Sequence, residues 1–107
     1  MIFYKIHQIK DIANTDYAFS SFRPGIFNFG DYKCVYSGEF VALEDKTDIE
    51  ICDVIFHIFN VRRPADFTGH SLSVSDIIEL NVKGSKQFYY CDRCGYSKLT
   101  KQDLEIW

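Results

Sequence analysis

Between Thr47 and Leu80 the sequence changes once, from an apolar helix to a polar, turn-rich segment, and that change limits what the chain can fold into. Thr47 and Glu50 have the spacing of a capping box. Asp48 and Glu50 suit the positive end of a helix dipole. Cys52, Ile55, Phe56 and Phe59 then follow the spacing of one helical face. Ile51, Val54 and Ile58 widen that face until only Glu50, Asp53 and His57 remain as a polar ribbon. Such a helix must be enclosed, either by the domain's own sheet and loops or by a second chain. Asn60 suits a left-handed C-terminal cap, and Pro64 blocks any continuation. The following segment, Asn60–Leu80, gathers Arg62, Arg63, Asp66, His70, Ser71, Ser73, Ser75 and Asp76 between apolar runs.

The flanks read as strands. Ile2–Ile9 alternates loosely and predicts a first strand. Lys10–Phe22 predicts a short helix or an irregular segment, because Asn14, Thr15 and Asp16 favour turns. Arg23-Pro24-Gly25 breaks the chain, and Ile26–Gly30 is a loop carrying Phe27 and Phe29. Asp31–Phe40 predicts a second strand with Tyr32, Cys34 and Tyr36 on one face. Leu72, Val74 and the run to Val82 predict a third. Lys83-Gly84-Ser85-Lys86 is a hairpin turn; Gln87–Asp92 returns, and Tyr96–Leu99 pairs further beyond a bend at Gly95. Leu104, Ile106 and Trp107 tie down the tail. The expected fold is α+β: one domain over residues 1–107, with four to five antiparallel strands and one main helix across a face.

Aromatic residues make up 17% of the chain, enough to build a core at this length. The formal net charge of −3 gives no general attraction for nucleic acid. The charge is divided, however. Glu39, Glu44, Asp45, Asp48, Glu50 and Asp53 make the middle acidic, while Lys83, Lys86, Arg93, Lys98 and Lys101 make the end basic. An acidic surface can dock on a basic groove. No apolar run has the length of a membrane helix, and the N-terminus lacks a signal-peptide layout. The expectation is a cytoplasmic protein with its four cysteines reduced.

The constellations that could carry chemistry are incomplete. Cys91-Asp92-Arg93-Cys94-Gly95 is half of a zinc ribbon, but none of Cys34, Cys52, His7, His57 and His70 forms a second pair at ligand spacing. No metal and no cofactor is expected. His70, Ser71 and Asp76 can be drawn as a triad, yet adjacent residues of an extended segment point to opposite faces. The serines and Asp76 read more simply as bonding the local backbone. Arg62 and Arg63 can anchor an anionic partner, or pair with Asp66 or Asp76, or cap the carbonyls at the end of the helix. The aromatics and basic residues of Lys86–Lys101 could stack on and neutralise a single-stranded nucleic acid, or simply form core. No catalytic residue is assigned. Arg62, Arg63, Asp66, His70, Ser71, Ser73 and Asp76 are the candidate binding residues.

The run from Arg63 through Pro64, Asp66, Phe67, Gly69, His70 and Ser71 to Asp76 resembles the signature of the YodL-like domain, found in proteins of mobile genetic elements in Firmicutes. Tyr4–Asp11, Tyr32–Phe40, Phe59-Asn60, Phe88-Tyr89-Tyr90 and Gly95-Tyr96 also fit that family, so the resemblance spans nearly the whole chain. Cys91 and Cys94 depart from it, standing where the family carries apolar or aromatic residues. The family offers no catalytic residues to carry over. The resemblance implies an inhibitor of host defence, similar to certain type II-A anti-CRISPR proteins, that binds the effector nuclease or blocks its assembly with guide RNA. Two other functions stay open: an interaction module for conjugation or replication proteins, self-associating through the apolar helix, and an enzyme that cleaves guide RNA through His70.

Overall fold

The computed structural model describes residues 1–41 and 45–104. Among these, five strands form one antiparallel sheet: β1 (Ile2–Ile9), β2 (Tyr32–Phe40), β3 (Ile77–Val82), β4 (Ser85–Asp92) and β5 (Gly95–Lys98), in the order β2-β1-β3-β4-β5. One helix, α1 (Asp48–Val61), lies across a face of the sheet. This is the expected α+β architecture. The Lys10–Phe22 segment contains no α-helix, only a single 3₁₀ turn at Ile12–Asn14.

Helix α1 starts as its sequence predicts. The Glu50 N–H donates to Thr47 Oγ1 at 3.2 Å, and the Thr47 N–H donates to Glu50 Oε1 at 2.9 Å. Its end differs from the expectation. Asn60 stays helical and donates Nδ2 to the Phe56 carbonyl, so the cap falls on Arg62, which is not left-handed. Ile51, Cys52, Ile55 and Phe59 are buried against Ile2, Tyr4, Ile6, Ile78, Leu80, Tyr89 and Cys91 of the sheet. Each of these large apolar side chains contributes about 1.5–3 kcal/mol by leaving water. Ile51, Cys52, Ile55 and Phe59 are thus enclosed by the chain's own sheet, while Ile49 and Val61 of the same helix are exposed. Gly38 is needed here: a Cβ on it would lie 2.5 Å from the buried ring of Tyr4.

The opposite face carries a second core. Residues 10–31 cross it, and Tyr17, Phe22, Phe27 and Phe29 pack over Ile9, Tyr32, Ile77, Phe88 and Tyr90. The Tyr90 hydroxyl donates to the Ser20 carbonyl at 2.6 Å, and the Tyr17 hydroxyl donates to Asp31 at 2.8 Å. Leu104 closes this core; Ile106 and Trp107, expected to help, lie outside the described residues.

A bulge in β2 overturns its expected face. Ile6 pairs with Tyr36 but His7 pairs with Cys34, leaving Val35 unpaired. One extra residue reverses the alternation, so Tyr32 enters the second core while Tyr36 packs on the first. Two tight turns match the sequence. Lys83 and Gly84 both have positive φ (52° and 81°) in the two-residue β3–β4 hairpin. Gly95, at φ 121°, follows the turn into β5.

Candidate functional site

The polar segment after α1 reaches β3 without forming a strand of its own. Leu72 and Val74 were expected in the third strand, but β3 begins only at Ile77. Leu72 instead drops into the first core, 2% exposed. The backbone N–H of Ser75 bonds to the Cys91 carbonyl, and the Cys91 N–H returns to the Asp76 carbonyl. The segment is therefore sewn to β4 at its end.

Its side chains converge on Gln8, a polar residue on the helix-facing side of β1. Gln8 donates Nε2 to the His70 carbonyl at 2.9 Å and to Asp76 Oδ2 at 3.1 Å. The same carboxylate oxygen accepts the Ser73 N–H at 2.8 Å. The Ser71 carbonyl accepts from Ser73 Oγ at 2.8 Å, and His70 Nδ1 lies 2.7 Å from it, as a donor. His70 Nε2 stands 3.9 Å from Asp76 Oδ1. Gln8 and Asp76 are almost completely buried, and the His70 side chain is about one-third exposed. Burial pushes the Asp76 carboxyl up to about 7, against the opposing pull of the Ser73 N–H, His70 and Gln8. Gly69 allows the loop to approach: a Cβ there would come within 2.3 Å of Gln8 Oε1.

The segment also holds the loop layer. Ser75, at φ 82°, accepts the Phe19 N–H on its hydroxyl at 3.0 Å and the Tyr32 hydroxyl on its carbonyl. Phe19 itself has φ 63°, and its ring meets that of His70 edge-on. Two non-glycine residues in the left-handed region persist only where surrounding contacts fix them. Here they fix each other.

Of the expected binding residues, His70, Ser71, Ser73 and Asp76 are brought together. Arg62, Arg63 and Asp66 are not; they sit exposed at the helix end of the segment. Among the described residues neither arginine forms an ion pair with Asp66 or Asp76, and Asp66 lies beside the Tyr36 hydroxyl. Gln8, Gly69, Phe19 and Ser75 belong to the site but were not among the candidates. Gln8 carried a signal: it interrupts the apolar series Ile2, Tyr4, Ile6 on one face of β1. An open groove of about 410 Å³ runs past the network, lined by Lys10, Lys33, Thr68, Gly69 and His70.

The two terminal cysteines are separated. Cys91 is buried in the first core, where desolvation raises its thiol, and Cys94 is exposed at the hairpin tip. Among the described residues no group of three or more potential ligands converges. Of the two readings of the Lys86–Lys101 aromatics, the structure shows core for most. Tyr89 and Tyr90 are core, and Tyr96 donates its hydroxyl to Asp53 on α1 at 2.8 Å.

A five-stranded antiparallel sheet with one capped helix, a loop layer behind it and a histidine-bearing clasp at one end defines a small α+β domain. The YodL-like domain family matches residues 3–101, and the chain belongs to that family. No curated protein and no solved structure matches it.

Proposed function

We propose that the protein is a non-enzymatic binding protein of a mobile genetic element that inhibits a type II-A CRISPR effector nuclease by interfering with its loading of guide RNA. The observation that carries this reading is the acidic ribbon along α1. Glu50 and Asp53 are exposed there, and Asp48 in the first turn is partly buried. The Tyr89 hydroxyl holds Asp48 at 2.6 Å, and the Tyr96 hydroxyl holds Asp53. Carboxylates fixed in advance lose less entropy on docking to a basic RNA channel. The internal bonding of the clasp supports the same reading. His70 Nδ1 and the Ser73 hydroxyl are both committed to the Ser71 carbonyl, so these two groups are occupied in holding the fold.

The test adds purified protein to the nuclease before or after its guide RNA, follows DNA cleavage, and runs the RNA on a denaturing gel. Inhibition only when the protein is added first, with intact RNA, is the expected result. A second reading, guide-RNA cleavage, draws on the partly exposed His70 beside Lys10 and Lys33 in the groove; shortened RNA on the same gel would establish it. No effect on cleavage would point to an interaction module for conjugation or replication proteins.

A further inference from the structure

The loop layer covers only part of the second sheet face. Residues 10–31 lie over the end that carries Ile9, Tyr32, Ile77 and Tyr90. Past the buried His7–Glu79 pair the face opens to solvent, and Phe3, Lys5 and Lys86 are exposed there. Phe3 is 49% exposed although β1 is an interior strand. The register sets Phe3 beside Asn81 and Asn81 beside Lys86, with Lys5 one step along.

Two grooves cross this face. One, of about 250 Å³, is lined by Phe3, Lys5, Asn81 and Lys86. The other, of about 480 Å³, is lined by Lys86, Phe88, Lys98 and Lys101 over Leu99 and Leu104. Lys86 belongs to both, so the two form one track with three lysines, Lys5, Lys86 and Lys101, and a solvent-facing ring; Lys98, paired with Tyr89 of the first core, turns to the helix side. Two carboxylates border the track. Glu79, bonded to His7 at 2.9 Å with its pKa lowered, stays ionised in the first groove and offsets part of the charge of Lys5 and Lys86 but is itself buried, and Asp103 accepts the Thr100 N–H. Glu39, opposite Phe3 on the edge strand, is exposed and limits the track on that side.

We infer that this face binds single-stranded nucleic acid, a base stacking on Phe3 and phosphates lying along Lys5, Lys86 and Lys101. A basic track interleaved with an open aromatic ring is what an unpaired strand requires: cations for its backbone and a flat apolar surface for its bases. Asn81, beside the ring, offers a donor and an acceptor to a base edge. The net negative charge of the chain does not oppose this. The acidic ribbon lies on α1, across the sheet, and even the shortest dimension of the molecule is 23 Å. Charges decay over about 8 Å at physiological salt, so the two sides act separately. The inference is independent of the nuclease-inhibitor reading.

The test is fluorescence anisotropy of a labelled oligouridylate with the intact protein across a salt series. Wild-type protein is expected to bind, with log affinity falling linearly in log salt. Lys86→Ala should reduce that slope by about 0.7, the loss of one phosphate contact. Phe3→Ala should weaken binding about tenfold at fixed salt, leaving the slope and the thermal midpoint unchanged. Polyglutamate of matched charge should compete poorly. The inference is overturned if wild-type protein does not bind, if Phe3→Ala binds as wild type does, or if polyglutamate competes equally, which would make the face a docking surface for acidic protein.

Discussion

Gln8 and Asp76 are buried polar residues in a small domain, and they are tolerated because they satisfy each other together with the His70 carbonyl and the Ser73 N–H. Their geometry has a consequence for pH. The Asp76 carboxyl is raised in the folded state to about 7 from its usual 3.8. The folded protein therefore binds a proton that the unfolded chain releases at lower pH. Stability from this group is complete below about pH 4 and is lost as pH rises through about 7. Glu79, lowered by its His7 partner, acts oppositely: its contribution is present above its ordinary value and fades as pH falls. Asp76→Asn keeps an acceptor for Ser73 and Gln8 and removes the titration. Unfolding free energies between pH 5 and 8, followed by denaturant melts, should fall with pH for wild type by on the order of 2 kcal/mol more than for the variant. Parallel curves would refute the assignment. The sequence made His70, Ser73 and Asp76 visible because they crowd one short segment. Gln8 lies 62 residues from His70, and only its position in an apolar alternation marked it.

At the scale of elements, legibility followed the range of the determining contacts. The helix start was legible because both halves of the capping box lie within four residues. The Lys83-Gly84 turn was legible because its backbone needs a residue type, not a distant partner. The bulge at Val35 was not legible: it arises in the pairing of β2 with β1, and nothing within β2 announces it. The end of α1 was misjudged for a similar reason. Asn60 can cap or can bond back to Phe56, and the close packing of Phe59 with Tyr36 and Phe67 accompanies the slightly longer helix. Thr47→Ala removes one side of the capping box and should cost about 1 kcal/mol in a denaturant melt. A change within error would mean that α1 is positioned by its packing alone.

The whole molecule is a sheet with different chemistry on its two sides. The helix side carries fixed carboxylates, and the open half of the other side carries lysines around Phe3. The divided charge was legible in the sequence as an acidic middle and a basic end. That Lys86 and Asp53 fall on opposite sides of one sheet, while Arg93 lies on the Asp53 side, was not, because it depends on strand order and register. The signature segment joins the layers: Leu72 enters the first core, Ser75 holds the loop layer, and Asp76 meets β1. The central claim is that this segment maintains the fold while the acidic ribbon engages the partner. The direct measurement is the guide-RNA loading assay run on two variants of confirmed thermal midpoint, Asp53→Lys and His70→Ala. Asp53 is exposed, and the thermal midpoint shows whether its bond to Tyr96 can be lost without unfolding. Charge reversal is predicted to reduce inhibition at least tenfold, with His70→Ala inhibiting as wild type does. Full inhibition by the charge-reversed protein, or its loss in a folded His70→Ala protein, would contradict the account.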